Sequence, residues 1–145
     1  RPAGDGLRDG ERSALALTIM TLVGGAHYRR DPLWTLNRLM AQCGETSTDA
    51  VTEVAEVLRR KGLIVASGDD PPVYLPACAL EAIELWDILA AVRAEGENSG
   101  QLPAVRDIMG RISAAIGQTL QGQTLKDLVL AEKLTSAERH RQGVS

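Results

Sequence analysis

Phenylalanine is missing altogether from these 145 residues, and aromatic side chains make up only 3% of them. A core without large rings must be assembled from Leu, Ile, Val, Ala and Met, with Trp34 and Trp86 as the bulky exceptions, and that supply favours helices. Histidine is almost as scarce, His27 and His140 being the two in the chain. No HxHxDH-like run exists, so the convergent His and acid set that a nuclease needs to hold catalytic metal is lacking. The two cysteines, Cys43 and Cys78, fit no CxxC or Cys/His spacing, and a reducing cytoplasm is the easier home for such a pair. No signal peptide is visible, and the longest strongly apolar run, Ala14 to Val23, is about half of a membrane span. An excess of positive charge is lacking too. Sixteen Lys and Arg stand against 19 Asp and Glu, a net charge of −3, so any nucleic-acid site has to be local.

What is present, 44% hydrophobic and 24% charged residues, suits one soluble domain with its own core. The chain begins Arg-Pro-Ala-Gly instead of with Met, which raises the expectation of a piece cut from a longer protein.

Apolar residues from Leu15 to Val23 predict a helix opening near Asp9, nearly apolar all round in its second half and therefore central to the core, with Gly24-Gly25 as its stop. After a loop over AHYRRDPLW, Thr35 is the expected N-cap of a helix whose Leu36, Leu39, Met40 and Cys43 form one stripe, closed by Gly44. Thr46, Ser47 or Thr48 can cap the next helix, Thr46 with Asp49 fitting a capping box. Val51, Val54, Val57 and Leu58 make its inner face, and Lys61-Gly62-Leu63 is the expected Schellman stop. Leu63 to Ala66 and Val73 to Leu75 read as a hairpin around Ser-Gly-Asp-Asp-Pro-Pro. From Ile83 the helical period returns, with Leu85, Ile88, Leu89 and Val92 on one face. A polar loop (Ala94 to Pro103) precedes a long amphipathic helix through Val105, Ile108, Met109, Ile112, Ile116 and Leu120. Thr124 and Asp127 open a last short helix with Leu125, Leu128 and Val129 inward. The expected organisation is a winged-helix domain over 7–93, the long helix and closing short helix over 103–134, and a disordered tail over 135–145.

This order resembles the IscR/NsrR-type family of bacterial winged-helix regulators. The matching stretches are Thr35 to Gly44, Leu58-Arg59-Arg60-Lys61-Gly62-Leu63, Val73 to Pro76, Ile83 to Val92 and Gln123-Thr124-Leu125-Lys126-Asp127-Leu128-Val129. The resemblance implies a mainly helical winged helix, with its third helix in the major groove, its hairpin on backbone or minor groove, and its long helix dimerising. Other wording, "GLRDGERSALALTIM" and "YLPA" before "IELWDILAAVR", is similar to the cytoplasmic C-terminal extension of YihY/BrkB-type inner-membrane proteins, often labelled ribonuclease BN. That second resemblance implies a covalently attached membrane domain and a place at the cytoplasmic side of the bacterial inner membrane.

Residue chemistry speaks against several functions. A groove-reading helix needs cations for phosphate, yet Thr48, Asp49, Thr52, Glu53 and Glu56 occupy its exposed first half, and the wing tip is Gly68-Asp69-Asp70-Pro71-Pro72. Nucleic acid is therefore an unfavoured partner at this stage. Arg59-Arg60-Lys61 are explained by the helix dipole, and Glu81, Glu84 and Asp87 by a helix start. The related sensing regulators carry three cysteines between the fourth and the long helix; Ala94 to Val105 here has none, and both cysteines read as small core residues. Gly24-Gly25 lacks the strand and Lys-Ser/Thr of a phosphate loop. The expectation is a non-catalytic, cofactor-free winged-helix interaction domain, with Thr48, Thr52, Glu53 and Glu56 as an acidic face for an unknown protein partner. A homodimer through Val105, Ile108, Ile112 and Ile116 completes it, since Gly110, Ser113, Ala114 and Gly117 permit close approach of a second helix. The alternative is a DNA-binding regulator of the IscR/NsrR type without a cluster, with contacts from Thr48, Thr52 and Arg59.

Overall fold

The computed structural model describes residues 9–44, 46–93 and 100–132. Helix α1, Asp9–Arg29, runs through the centre of the core, with Leu15, Ala16, Ile19, Met20, Val23 and Ala26 all buried. It does not stop at Gly24-Gly25. A Cβ at Gly24 would lie 3.1 Å from methyls of both Leu80 and Leu125 and 3.5 Å from one of Val129, so this glycine serves a close approach between elements and not a stop. The helix ends one turn later. Arg30 takes the left-handed conformation at φ 61°, and the Asp31 N–H donates to the Ala26 carbonyl at 2.9 Å, the longer bond of a Schellman ending.

A two-residue strand follows where a plain loop was expected: β1, Trp34–Thr35. Thr35 also caps α2 (Leu36–Gln42), its Oγ1 accepting from the Arg38 N–H at 3.2 Å. Leu39 is buried, and Leu36, Met40 and Cys43 pack partly buried beside it. In α3 (Thr48–Arg60) the cap is Ser47, whose Oγ accepts from the Ala50 N–H at 3.1 Å. Its inner face, Val51, Val54, Val57 and Leu58, is fully covered. Gly62 at φ 78° closes it, with the Leu63 N–H donating to the Leu58 carbonyl at 3.0 Å and the Gly62 N–H to that of Arg59 at 3.1 Å.

Strands β2 (Ile64–Ala66) and β3 (Val73–Pro76) form the wing, antiparallel, with Val65 opposite Leu75. β1 adds to the other side of β3, Trp34 opposite Tyr74, so the sheet order is β1-β3-β2. Ser67 Oγ closes the hairpin by accepting from the N–H groups of Val73 at 3.0 Å and Asp69 at 3.2 Å. The chain then passes Cys78, which is exposed on this connection and not in the core as expected, before the 3-10 turn Leu80–Ala82 and α4 (Leu85–Arg93). Asp87 accepts from the Glu84 N–H at 3.3 Å, a capping bond at the helix start by which that acid cluster was explained.

Pro103 opens α5 (Pro103–Thr119), and a last helix, α6, covers residues 125–132. Thr124 N–H donates to Asp127 at 2.9 Å, and Leu125 and Val129 are buried. This corner is pinned to the start of α4 by Leu85 N–H to Gln123 carbonyl at 3.0 Å and Leu125 N–H to Ile83 carbonyl at 2.8 Å. α5 itself stands apart, with no residue buried. It touches the rest of the chain through Trp86 against Gly117 and through Arg93, whose Nη2 donates to Ser113 Oγ at 3.4 Å. Met109, Ile116 and Leu120 are half-covered, while Val105, Ile108 and Ile112 of the same stripe stay exposed. The expected tail over 135–145 and most of the Ala94 to Pro103 loop lie outside the described residues.

Candidate nucleic-acid interface

Burial of one face of α3 decides what the other presents. With Val51, Val54, Val57 and Leu58 locked against α1 and α4, the residues Thr48, Asp49, Thr52, Glu53, Glu56 and Arg59 all face outward. The four expected interaction residues and Arg59 are therefore brought together on one side of one helix. The Thr52 hydroxyl donates to the Thr48 carbonyl at 2.9 Å, which leaves its oxygen as an acceptor and its methyl as an apolar contact.

The charges on this face are not the bare acids that the residue order implies. Arg12, from the first turns of α1, donates to and pairs with Glu53. Arg59 grips Glu56 with two nitrogens, Nε donating to Oε1 at 3.3 Å and Nη2 to Oε2. That hydrogen bonding by Arg59 holds the Glu56 carboxyl below its ordinary value. Asp49 sits in the first turn of α3, where a carboxylate complements the helix dipole. Of the three α3 acids counted against phosphate binding, two are thus matched by arginine within the fold. Arg12 had no place in the sequence reading; its partner lies 41 residues away, and no helical or strand period connects them.

Further cations lie on the surface of the chain. Arg60 and Lys61 are exposed at the end of α3, and Arg30 is exposed after α1. Arg38 is fixed in place, its guanidinium 4.3 Å over the Trp34 ring and its Nη1 donating to the Leu33 carbonyl at 2.8 Å. The wing tip remains acidic, with Asp69 and Asp70 exposed.

Nothing here assembles into a metal centre: among the described residues, no three His, Cys, Asp or Glu side chains converge. Cys43 is partly buried, and that burial pushes its thiol up, as befits a small core residue. Also among the described residues, no helix is long and apolar enough to cross a membrane.

The helices and the small antiparallel sheet together define a winged helix. The structure of CymR, the global cysteine regulator of B. subtilis, is similar to it with a TM-score of 0.63 and 22% identity, over 87% of this chain and 98% of that one. Staphylococcus aureus CymR is similar at 0.62 and 20% identity, over 82% and 95%. T. potens IscR is similar at 0.59 and 20% identity, over 90% and 91%. At these identities the likeness establishes a shared winged-helix fold. No family model matches the chain, and no curated protein does. The resemblance to YihY/BrkB-type membrane proteins gains no support from any of these comparisons.

Proposed function

We propose that this chain is a DNA-binding transcription regulator that acts as a homodimer, with α3 entering the major groove and no cluster or other cofactor. This reverses the expectation that nucleic acid is an unfavoured partner. The observation that carries it is the pairing of Glu53 with Arg12 and of Glu56 with Arg59, which removes most of the repulsion that the acids of α3 would otherwise offer to phosphate. The likeness over nearly the whole length of CymR and IscR supports the same reading. Thr48, Thr52 and Arg59 are the side chains best placed for contact. The exposed stripe Val105, Ile108 and Ile112, continued by the half-covered Ile116, is the surface through which two copies join.

One observation favours a second reading. Asp69 and Asp70 at the wing tip would repel a narrow groove but suit a basic protein surface, so docking of a basic protein partner is the rival use of the same face. Fluorescence anisotropy with a random duplex pool at low salt separates them. The regulator reading expects binding tighter than the roughly 1–100 μM that non-specific complexes show at physiological salt. An anisotropy that stays flat well above that range overturns it and leaves the protein-docking reading.

A further inference from the structure

The Arg12–Glu53 pair joins an arginine whose side chain is 17% exposed to a carboxylate that is 60% exposed. The arginine is largely covered and so poorly placed for a phosphate, whereas the carboxylate is held through Oε1 on a side chain that is mostly exposed. Glu53 lies one turn along α3 from Asp49, on the face that carries Thr48 and Thr52. A free glutamate on a groove-facing helix samples many rotamers and repels the backbone. One that is anchored by a guanidinium is nearly neutral as a pair and fixed in direction.

We infer that Glu53 is a specificity-determining residue, reading an exocyclic amine on a base edge, and that Arg12 is the positioning residue that aims it. This rests on the DNA-reading proposal above. A carboxylate only accepts hydrogen bonds. In the major groove, cytosine N4 and adenine N6 donate, while guanine O6 and thymine O4 would meet it lone pair to lone pair. Cytosine is the preferred partner, because adenine sets its N7 acceptor beside the amine and opposes a second carboxylate oxygen. The bound site therefore carries a cytosine facing Glu53 in each half.

The test is selection of duplexes from a random library by the wild-type chain, Glu53→Gln and Arg12→Ala, each checked for folding by its thermal transition. Wild type enriches a motif with a fixed cytosine in each half-site. Glu53→Gln, which offers a donor and an acceptor, moves that one position toward adenine and changes its base preference by about tenfold, leaving the other positions alone. Arg12→Ala blurs the same position without creating a new preference, an effect that a merely structural staple would not produce. If wild type enriches a motif that Glu53→Gln leaves unchanged, the inference falls while the regulator reading stands. If wild type enriches nothing, the regulator reading falls and the inference with it.

Discussion

Replacing Ile108 by Asp should split the proposed dimer while leaving the protomer folded. Val105, Ile108 and Ile112 are 43%, 49% and 44% exposed, so about half of each side chain is already covered by its own chain. Full burial of such a side chain contributes roughly 1.5–3 kcal/mol, and the open half therefore roughly 0.7–1.5 kcal/mol. A two-fold interface counts every residue twice, so the three positions supply roughly 4–9 kcal/mol in gross terms, comparable with the ~4–15 kcal/mol cost of association. Ile108→Asp removes two of these six contributions and places two carboxylates in a dry seam, each of which costs several kcal/mol more. Dimer affinity should fall by at least about tenfold, since 1.5 kcal/mol already exceeds that factor. In the separate protomer the same change gives up the half of the side chain that its own chain covers, so stability should fall by roughly 0.7–1.5 kcal/mol without unfolding the chain. Sedimentation equilibrium across the micromolar range, with far-ultraviolet circular dichroism on the same samples, reads both quantities. A wild-type chain that remains monomeric at high micromolar concentration with its helices intact refutes the reasoning, as does an Ile108→Asp variant of unchanged mass.

Three further substitutions probe single features. Gly24→Ala gains about 0.5–1 kcal/mol of helix propensity but presses a methyl to within 3.1 Å of two leucine side chains, and overpacking of this sort costs about 1–3 kcal/mol, so its thermal midpoint should drop; a rise would show that Leu80 and Leu125 give way freely. Arg30→Gly relieves a left-handed residue of about 1–2 kcal/mol at an entropic cost of about 0.5–1 kcal/mol, and calorimetry should find a higher melting temperature, with a lower one contradicting the assigned helix ending. The Glu56 carboxyl is depressed by Arg59, so the stabilisation it brings is present above the unfolded-state value and disappears as pH falls through the folded one. An NMR titration should find its midpoint below the ordinary glutamate value and climbing in Arg59→Ala; a midpoint indifferent to that change would disprove the pairing.

Local signals were readable wherever one segment sufficed to determine them. The α3 inner face, the Gly62 ending, the Pro103 start and the Thr124 with Asp127 cap all depend on residues within a few positions of one another, and each is found where the pattern puts it. Features set by distant partners were not readable. Gly24-Gly25 has the look of a stop, but Leu80, Leu125 and Val129, far along the chain, make the first of these glycines a packing contact. The strand Trp34–Thr35 is two residues long and exists because β3 offers it an edge, which no alternation could announce. The long-helix stripe was visible as a pattern, but a pattern does not say whether the chain's own core or a second copy covers it. Most consequentially, the acids of α3 are visible in its own segment, whereas the arginine that matches Glu53 arrives from α1.

The most direct test of the central claim, that a charge-matched α3 face engages DNA, is the salt dependence of affinity for a duplex enriched by the wild-type chain. The account predicts a straight decline of log affinity against log salt with a slope of roughly −2 to −6, corresponding to a few phosphate contacts per dimer. A slope near zero, or no measurable complex even at the lowest salt, would contradict it.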